Sequence, residues 1–153
     1  VQPLVISRLD YYNSLLAGLS LNAIRPLQMI QNAAARLVFN QPKFSHTTPL
    51  LRSLHWLPVA ARIRFKTLML AYKAKNGPAL SYLSDLITSR TAPRCLKTSS
   101  TAQMVPPSLR MRGKYTLRLF SVLALRWWNE LPLDVRTAES LIIFMRRLKT
   151  YLF

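Results

Sequence analysis

The residues of this chain that could take part in chemistry are mostly cations. Lys and Arg number 22 against 5 Asp and Glu, and no acid lies within residues 11–84 or 86–128. The cations are dispersed singly through a chain that is 50% apolar, with a formal net charge of +17. This dispersion is typical of a folded domain with a positive exterior and not of a disordered basic tail. We therefore expect the partner to be a polyanion.

The best candidates for phosphate contacts are cations that have no acid near them in the sequence. An ordinary solvated face mixes both signs of charge, whereas these segments carry only one. Contacts from Lys and Arg to a nucleic-acid backbone depend on salt and carry little base specificity. We predict this role for eight residues: Arg25, Arg36, Arg62, Lys66, Lys73, Arg110, Arg112 and Lys114.

The carboxylates do not predict an active site. Two-metal phosphoryl transfer needs at least two carboxylates that converge on the ions, and no two carboxylates here are adjacent in the sequence. The three glycines do not form a phosphate-binding loop, and no nucleophile elbow accompanies the Ser, His and Asp residues. Two histidines and one cysteine without close pairing do not predict a zinc site. We expect no catalysis by this chain alone, no metal and no cofactor.

Two aromatic pairs, His55-Trp56 and Trp127-Trp128, admit two interpretations. Exposed rings could stack on nucleic-acid bases, whereas rings flanked by apolar residues usually belong to a core. The sequence favours a core position for Trp56, with His55 fixing a turn. It also favours the core for Trp127 and Trp128, although one of two adjacent residues on a helix must point elsewhere.

Apolar residues recur at helical spacing along most of the chain, which predicts an all-α fold. Residues 88–113 differ, because Ser, Thr, Pro, Arg and Gln dominate there, and we expect a long basic loop with a short strand around 102–105. The predicted architecture is an irregular helical bundle in two lobes: an N-terminal lobe 1–87, a basic linker 88–116 and a C-terminal helical hairpin 117–153. The predicted helices cover residues 4–19, 21–38, 49–54, 58–76, 82–86, 117–131 and 141–152.

Two local predictions bear on how these helices pack. Thr48 before Pro49 is expected to cap the third helix, since Thr can accept a hydrogen bond from the first free N–H groups and Pro suits the first turn. In the second helix we expect an apolar stripe opposite a basic and amide face. The stripe comprises Leu21, Ile24, Leu27, Ile30, Ala34, Leu37 and Val38.

Several strings of residues resemble, in order and spacing, the carboxy-terminal end of a retrotransposon polyprotein. Each string is short, and together they extend through nearly the whole chain. The family is that of the reverse transcriptases of vertebrate non-LTR (LINE-type) retrotransposons, of the kind abundant in fish genomes. The strings are SRLDYYNSLLAGL at 7–19, LQMIQNAAARLV at 27–38, LRSLHWLPV at 51–59, YKAKNG at 72–77, FSV at 120–122, WNELP at 128–132 and FMRRLK at 144–149.

The resemblance implies a longer parent with an endonuclease, a polymerase and this basic region, acting by target-primed reverse transcription. The paired aspartates of the polymerase palm would lie before Val1, so no catalytic residue is carried over to this chain. The region would be thumb-like or post-polymerase, and its partners would be the RNA/DNA template–primer and the upstream polymerase domain. It would act inside the cell, in the nucleus or cytoplasm.

Two other hypotheses about function are compatible with the sequence. One is a domesticated or spurious open reading frame that folds as a helical protein–protein interaction module. The other is a basic peripheral membrane binder, because amphipathic helices rich in Lys and Arg can lie on anionic lipid. No membrane span is predicted, since Lys or Arg interrupts every apolar run well before the ~20 residues that a span needs.

Overall fold

The computed structural model describes residues 2–11, 13–76, 83, 85, 87–89, 102–105 and 120–153. The described residues are mostly helical with one two-stranded ribbon, so the predicted all-α class is confirmed. The elements, in chain order, are α1 (Gln2–Asp10), a 3-10 helix (Asn13–Leu16), α2 (Leu21–Val38), α3 (Thr48–Ser53), α4 (Val59–Asn76), β1 (Thr88–Ser89), β2 (Met104–Val105), α5 (Phe120–Glu130), α6 (Leu133–Arg136) and α7 (Leu141–Leu152).

The chain divides into two compact units. Unit 1 comprises Val1–Lys66 with Tyr151–Phe153, and unit 2 comprises Thr67–Thr150. The boundary between the two units falls within α4, after Lys66. The three-part division of the chain stays a prediction, because most of its middle segment lies outside the described residues.

α2 has both ends fixed by local chemistry, and its predicted bounds are confirmed. At the start, the Ser20 hydroxyl accepts a hydrogen bond from the Ala23 N–H at 3.4 Å, as an N-cap should. At the end, Asn40 takes a left-handed φ of 49°, and the Gln41 N–H donates to the Arg36 carbonyl at 2.9 Å. Asn is one of the few residues that tolerate this conformation, and the bond pattern is a Schellman motif.

The prediction of one continuous helix over residues 4–19 is wrong. Instead of continuing to residue 19, α1 ends at Asp10, and a separate 3-10 helix begins at Asn13. The Asn13 side-chain amide donates to the Asp10 carboxylate at 3.2 Å. Short polar side chains that bond locally compete with helix continuation. The Thr48 cap is also wrong: Thr47 occupies the N-cap position without a side-chain bond, while Pro49 lies in the first turn as expected.

The predicted apolar stripe of α2 is only partly the buried face. Ile24 and Ala34 are buried, but Leu21, Ile30 and Leu37 are exposed. The face that packs in unit 1 is lined by Ile24, Gln31, Ala34 and Ala35. Around it lie Leu51 and Trp56, with Val5, Ile6, Leu50 and Leu54 partly buried beside them.

Gln31 explains why the buried face differs from the predicted stripe. Its side chain is fully buried, and its amide donates to the Leu57 carbonyl at 2.8 Å. Gln28 completes the bridge by donating to the Gln31 oxygen at 3.0 Å and accepting from the Val59 N–H at 2.8 Å. A buried amide with its bonds satisfied carries little penalty, so these two glutamines fix α2 to the turn that precedes α4.

The core of unit 2 contains three packed aromatic rings. The Tyr72 and Phe144 centroids lie 4.4 Å apart, and those of Trp128 and Phe144 lie 5.6 Å apart. Trp128 is fully buried while Trp127 is partly exposed, which confirms that only one of the pair faces the core. The Tyr72 hydroxyl donates to the Ala138 carbonyl at 2.9 Å, so its polar end is satisfied.

The β-ribbon of unit 2 is attached to α5 by side chains. β1 and β2 are antiparallel, with Thr88 opposite Val105 and Ser89 opposite Met104. Asn129 accepts from the Met104 N–H at 3.0 Å and donates to the Met104 carbonyl at 2.9 Å. Its amide thus pairs with the strand as another peptide group would, and the short strand predicted around 102–105 is confirmed at Met104–Val105.

Candidate nucleic-acid interface

Unit 1 concentrates positive charge with almost nothing to offset it. It contains eight Lys and Arg residues and one side-chain carboxylate, that of Asp10. The basic residues are Arg8, Arg25, Arg36, Lys43, Arg52, Arg62, Arg64 and Lys66.

Arg62 forms an ion pair with Asp10, the one side-chain carboxylate of unit 1. Its guanidinium Nη1 lies 2.7 Å from Asp10 Oδ2, and the two side chains are 15% and 34% exposed. The pair joins α4 to α1. The ion pair gives Arg62 a structural role, and its phosphate contact stays a prediction. Its partner lies 52 residues away in the sequence, so local sequence patterns did not reveal it.

Arg25 and Arg36 lie on the same side of α2. They are separated by about three helical turns, which places them roughly 16 Å apart along the helix axis. Arg25 is exposed, whereas Arg36 is half-buried and donates from Nε to the Ser45 carbonyl at 3.1 Å. Arg36 thus fixes the loop after α2.

The remaining described candidates lie on α4. Lys66 is half-buried at the end of unit 1, and Lys73 is exposed in unit 2. Arg110, Arg112 and Lys114 lie outside the described residues, so their predicted role stays a prediction.

Sequence reasoning missed a basic and aromatic depression in unit 1. Its volume is about 280 Å³, and it is lined by Arg52, His55 and Phe153. His55 is exposed and adopts a left-handed φ of 55° in the turn after α3, as expected for a residue that fixes a turn. An exposed guanidinium beside an aromatic ring suits a phosphate and a base together. The signal for Arg52 was present, because no acid lies near it in the sequence.

Trp56 does not contribute a stacking surface. It is 2% exposed and packs with Ala34, Ala35 and Leu51. The predicted core position of Trp56 is confirmed, so the base-stacking interpretation of this residue is excluded.

Lys75 in unit 2 is a further cation with a perturbed environment. Its Nζ lies 5.1 Å from the centroid of the Trp128 ring, within the range of a cation–π contact. Burial, followed by the charge of Arg136, lowers the pKa of Lys75 below its usual 10.5. Lys75 therefore belongs to the packing of the aromatic core and not to the predicted interface.

Other cations of unit 2 already have intramolecular partners. Arg126 lies 3.6 Å from Glu130 one helical turn further along α5, and Arg147 donates to the backbone carbonyl of Asp134. Arg146, near the end of α7, is exposed. Such partners make Arg126 a useful control for a cation that is not expected to bind phosphate.

Neither a metal site nor a membrane span is found among the described residues. Among the described residues, no group of three or more His, Cys, Asp or Glu side chains could hold a metal ion. Within those residues, too, no helix has the length and apolar character to cross a bilayer.

Comparison of the chain with protein-family models, curated proteins and solved structures found no match. Support for a function therefore comes from the chemistry of the chain's own residues and from the resemblance described above.

Proposed function

We propose that this chain is a non-catalytic nucleic-acid-binding segment of a non-LTR retrotransposon reverse transcriptase. In this proposal it grips the phosphate backbone of the template–primer during target-primed reverse transcription, while an upstream polymerase domain supplies the chemistry. One observation carries the proposal: unit 1 contains eight Lys and Arg residues against one side-chain carboxylate, that of Asp10, and Arg62 already engages it.

The positive charge of unit 1 requires a polyanion to offset it. Like charges on one compact unit repel, and phosphate relieves that repulsion by replacing a condensed counterion atmosphere with Lys and Arg. Arg25, with Arg36 on the same side of α2, would contact the backbone at two points. These contacts would fix the position of the duplex without reading its sequence.

Arg52 and the depression around it support the same function in a different way. Arg52, His55 and Phe153 line one open depression. Such a surface can receive an unpaired base beside its phosphate, as expected near the end of a primer or a displaced strand.

The test is binding of the purified chain to three probes: an RNA–DNA hybrid, vesicles of phosphatidylserine and phosphatidylcholine, and an uncharged polymer as control. Fluorescence anisotropy at salt concentrations from about 50 to 200 mM should give hybrid affinities that fall by orders of magnitude. Absence of hybrid binding at the lowest salt would overturn the proposal. Binding to anionic vesicles alone would replace it with the peripheral membrane function.

A further inference from the structure

α2 exposes a second apolar face in addition to the one that packs in unit 1. Along this face, residues recur at alternating intervals of three and four, the spacing with which a helix meets a second helix. All of its members are exposed in the structure. We call this face the outer seam; it consists of Ala23, Pro26, Ile30, Ala33 and Leu37.

The exposed apolar side chains of the outer seam form a contiguous row, unlike the scattered apolar residues of an ordinary surface. Ile30 and Leu37 are 53% and 69% exposed, and the neighbouring Met29 is 62% exposed. Single exposed apolar side chains need no explanation, but a contiguous row of them on a soluble surface usually marks an interaction site. Two of the five positions are alanines, which let a partner backbone approach closely.

The seam does not suit a nucleic acid or a second copy of the chain. Its side chains are aliphatic, so they offer neither hydrogen-bond donors to phosphate nor rings to stack on bases. A second copy would bring the same cations, Arg25 and Arg36, towards each other, and each chain carries a net charge of +17. Repulsion between like charges opposes that pairing.

The charges beside the outer seam indicate which kind of partner would suit it. Arg36 lies directly beside the seam and Arg25 one position further around the helix, while residues 21–38 contain no acid. A partner helix with an apolar stripe at matching spacing and Glu or Asp along its edges would bury the seam and neutralise both arginines. A lipid surface is the weaker fit, because the seam has no aromatic residue of the kind that anchors interfacial helices.

We propose that the outer seam of α2 is the docking site for an acidic amphipathic helix of a partner protein. This goes beyond the proposed grip on nucleic acid, since the docking surface itself consists of aliphatic residues that take no part in phosphate contacts, whereas Arg25 and Arg36 at its edge are shared with that grip. The partner is defined by its chemistry: an apolar stripe at heptad spacing, edged by carboxylates.

The experiment uses two labelled synthetic peptides of about three heptads, identical except for Glu or Lys at the flanking positions. Each is titrated with the full chain in the absence of nucleic acid. We expect the Glu peptide to bind and the Lys peptide not to bind. Because Ile30 and Leu37 are exposed, Ile30→Gln and Leu37→Gln should keep the circular dichroism spectrum and weaken Glu-peptide binding about tenfold or more. Ile142→Gln, at a still more exposed apolar position on α7, should leave binding unchanged.

Several results would overturn the proposal. The proposal is overturned if both peptides bind equally or if the Glu peptide does not bind. It is also overturned if the Ile30→Gln and Leu37→Gln variants bind the Glu peptide as well as the native chain does. Concentration-dependent dimerisation lost in the same variants would assign the seam to a second copy. Vesicle binding lost in them would assign it to lipid. Binding of the RNA–DNA hybrid is measured on the same variants, and we expect it to be unchanged. A failure of the docking proposal can therefore be distinguished from a failure of the nucleic-acid proposal.

Discussion

The contrast between Arg62 and Arg25 gives a sharp test of which cations serve the fold and which serve binding. We expect Arg62→Met to lower stability and to leave the salt dependence of hybrid binding unchanged. We expect Arg25→Met to leave stability nearly unchanged and to reduce the salt dependence of hybrid binding. Met keeps most of the apolar stem of each side chain, so that the loss of charge dominates the comparison.

The magnitude for Arg62 follows from the geometry of its ion pair. The pair is short, at 2.7 Å, and only partly exposed, at 15% for Arg62 and 34% for Asp10. Exposed pairs contribute about 0.2–1 kcal/mol, and hydrogen bonds to charged groups about 1.5–3 kcal/mol. An intermediate position gives a loss of about 1–2 kcal/mol, and Asp10 then keeps only the Asn13 amide among its described partners. For a chain of this size that corresponds to a fall in Tm of about 2–8 °C.

The assay combines thermal unfolding with hybrid binding. A double-mutant cycle with Asp10→Asn should give a coupling energy of about 1 kcal/mol between the two side chains. Arg25→Met should change the unfolding free energy by less than about 0.5 kcal/mol and reduce the slope of log affinity against log salt by about 0.9. If Arg62→Met reduced that slope and left Tm unchanged, the structural role of Arg62 would be refuted.

Three further predictions concern the two units separately. Gln31→Leu should lower the unfolding free energy by about 1–3 kcal/mol, because it removes the donor to a buried carbonyl, whereas Gln41→Leu on the exposed loop should change it by less than about 0.5 kcal/mol in the same urea titration. For Lys75, burial and then Arg136 lower the pKa, which disfavours the charged form in the folded state. The native chain should therefore gain stability relative to Lys75→Met as the pH rises through the lowered pKa towards 10.5, and a difference that stays flat over that range would contradict the cause given. Asn129→Leu should increase hydrogen exchange at the β2 amides, since it removes both bonds to that strand; unchanged protection would show that α5 does not hold the ribbon.

Much of the fold could be predicted because its signals are local. Asn40 and Pro42 mark the end of α2, and Pro58 and Gly77 bracket α4, so the bounds of both helices followed from short-range chemistry. The break between α1 and the 3-10 helix was missed, since it depends on whether the Asn13 side chain bonds locally.

The packing of α2 could not be predicted from its composition. An apolar stripe normally indicates the buried face, but here Gln31 is buried and Ile30 is exposed. The reason is the hydrogen bond from Gln31 to Leu57, 26 residues away, which no local pattern encodes.

The candidate interface, too, could be predicted only where the surroundings of a residue are local in sequence. The lack of nearby acids correctly marked Arg25 as an exposed cation, since its surroundings are local. The same rule missed the ion pair of Arg62, because its carboxylate comes from α1. Arg52 joins the site only through the proximity of His55 and Phe153, which tertiary structure creates.

The most direct test of the central claim is the salt dependence of hybrid binding by the native chain and by a variant in which Arg25, Lys66 and Lys73 are all replaced by Gln. Arg126→Gln serves as the control, because Arg126 already lies beside Glu130. We predict a steep linear fall of log affinity with log salt, and a slope smaller by about 2.7 in the triple variant if each cation meets one phosphate. Identical slopes for the native chain and a correctly folded triple variant would contradict the account.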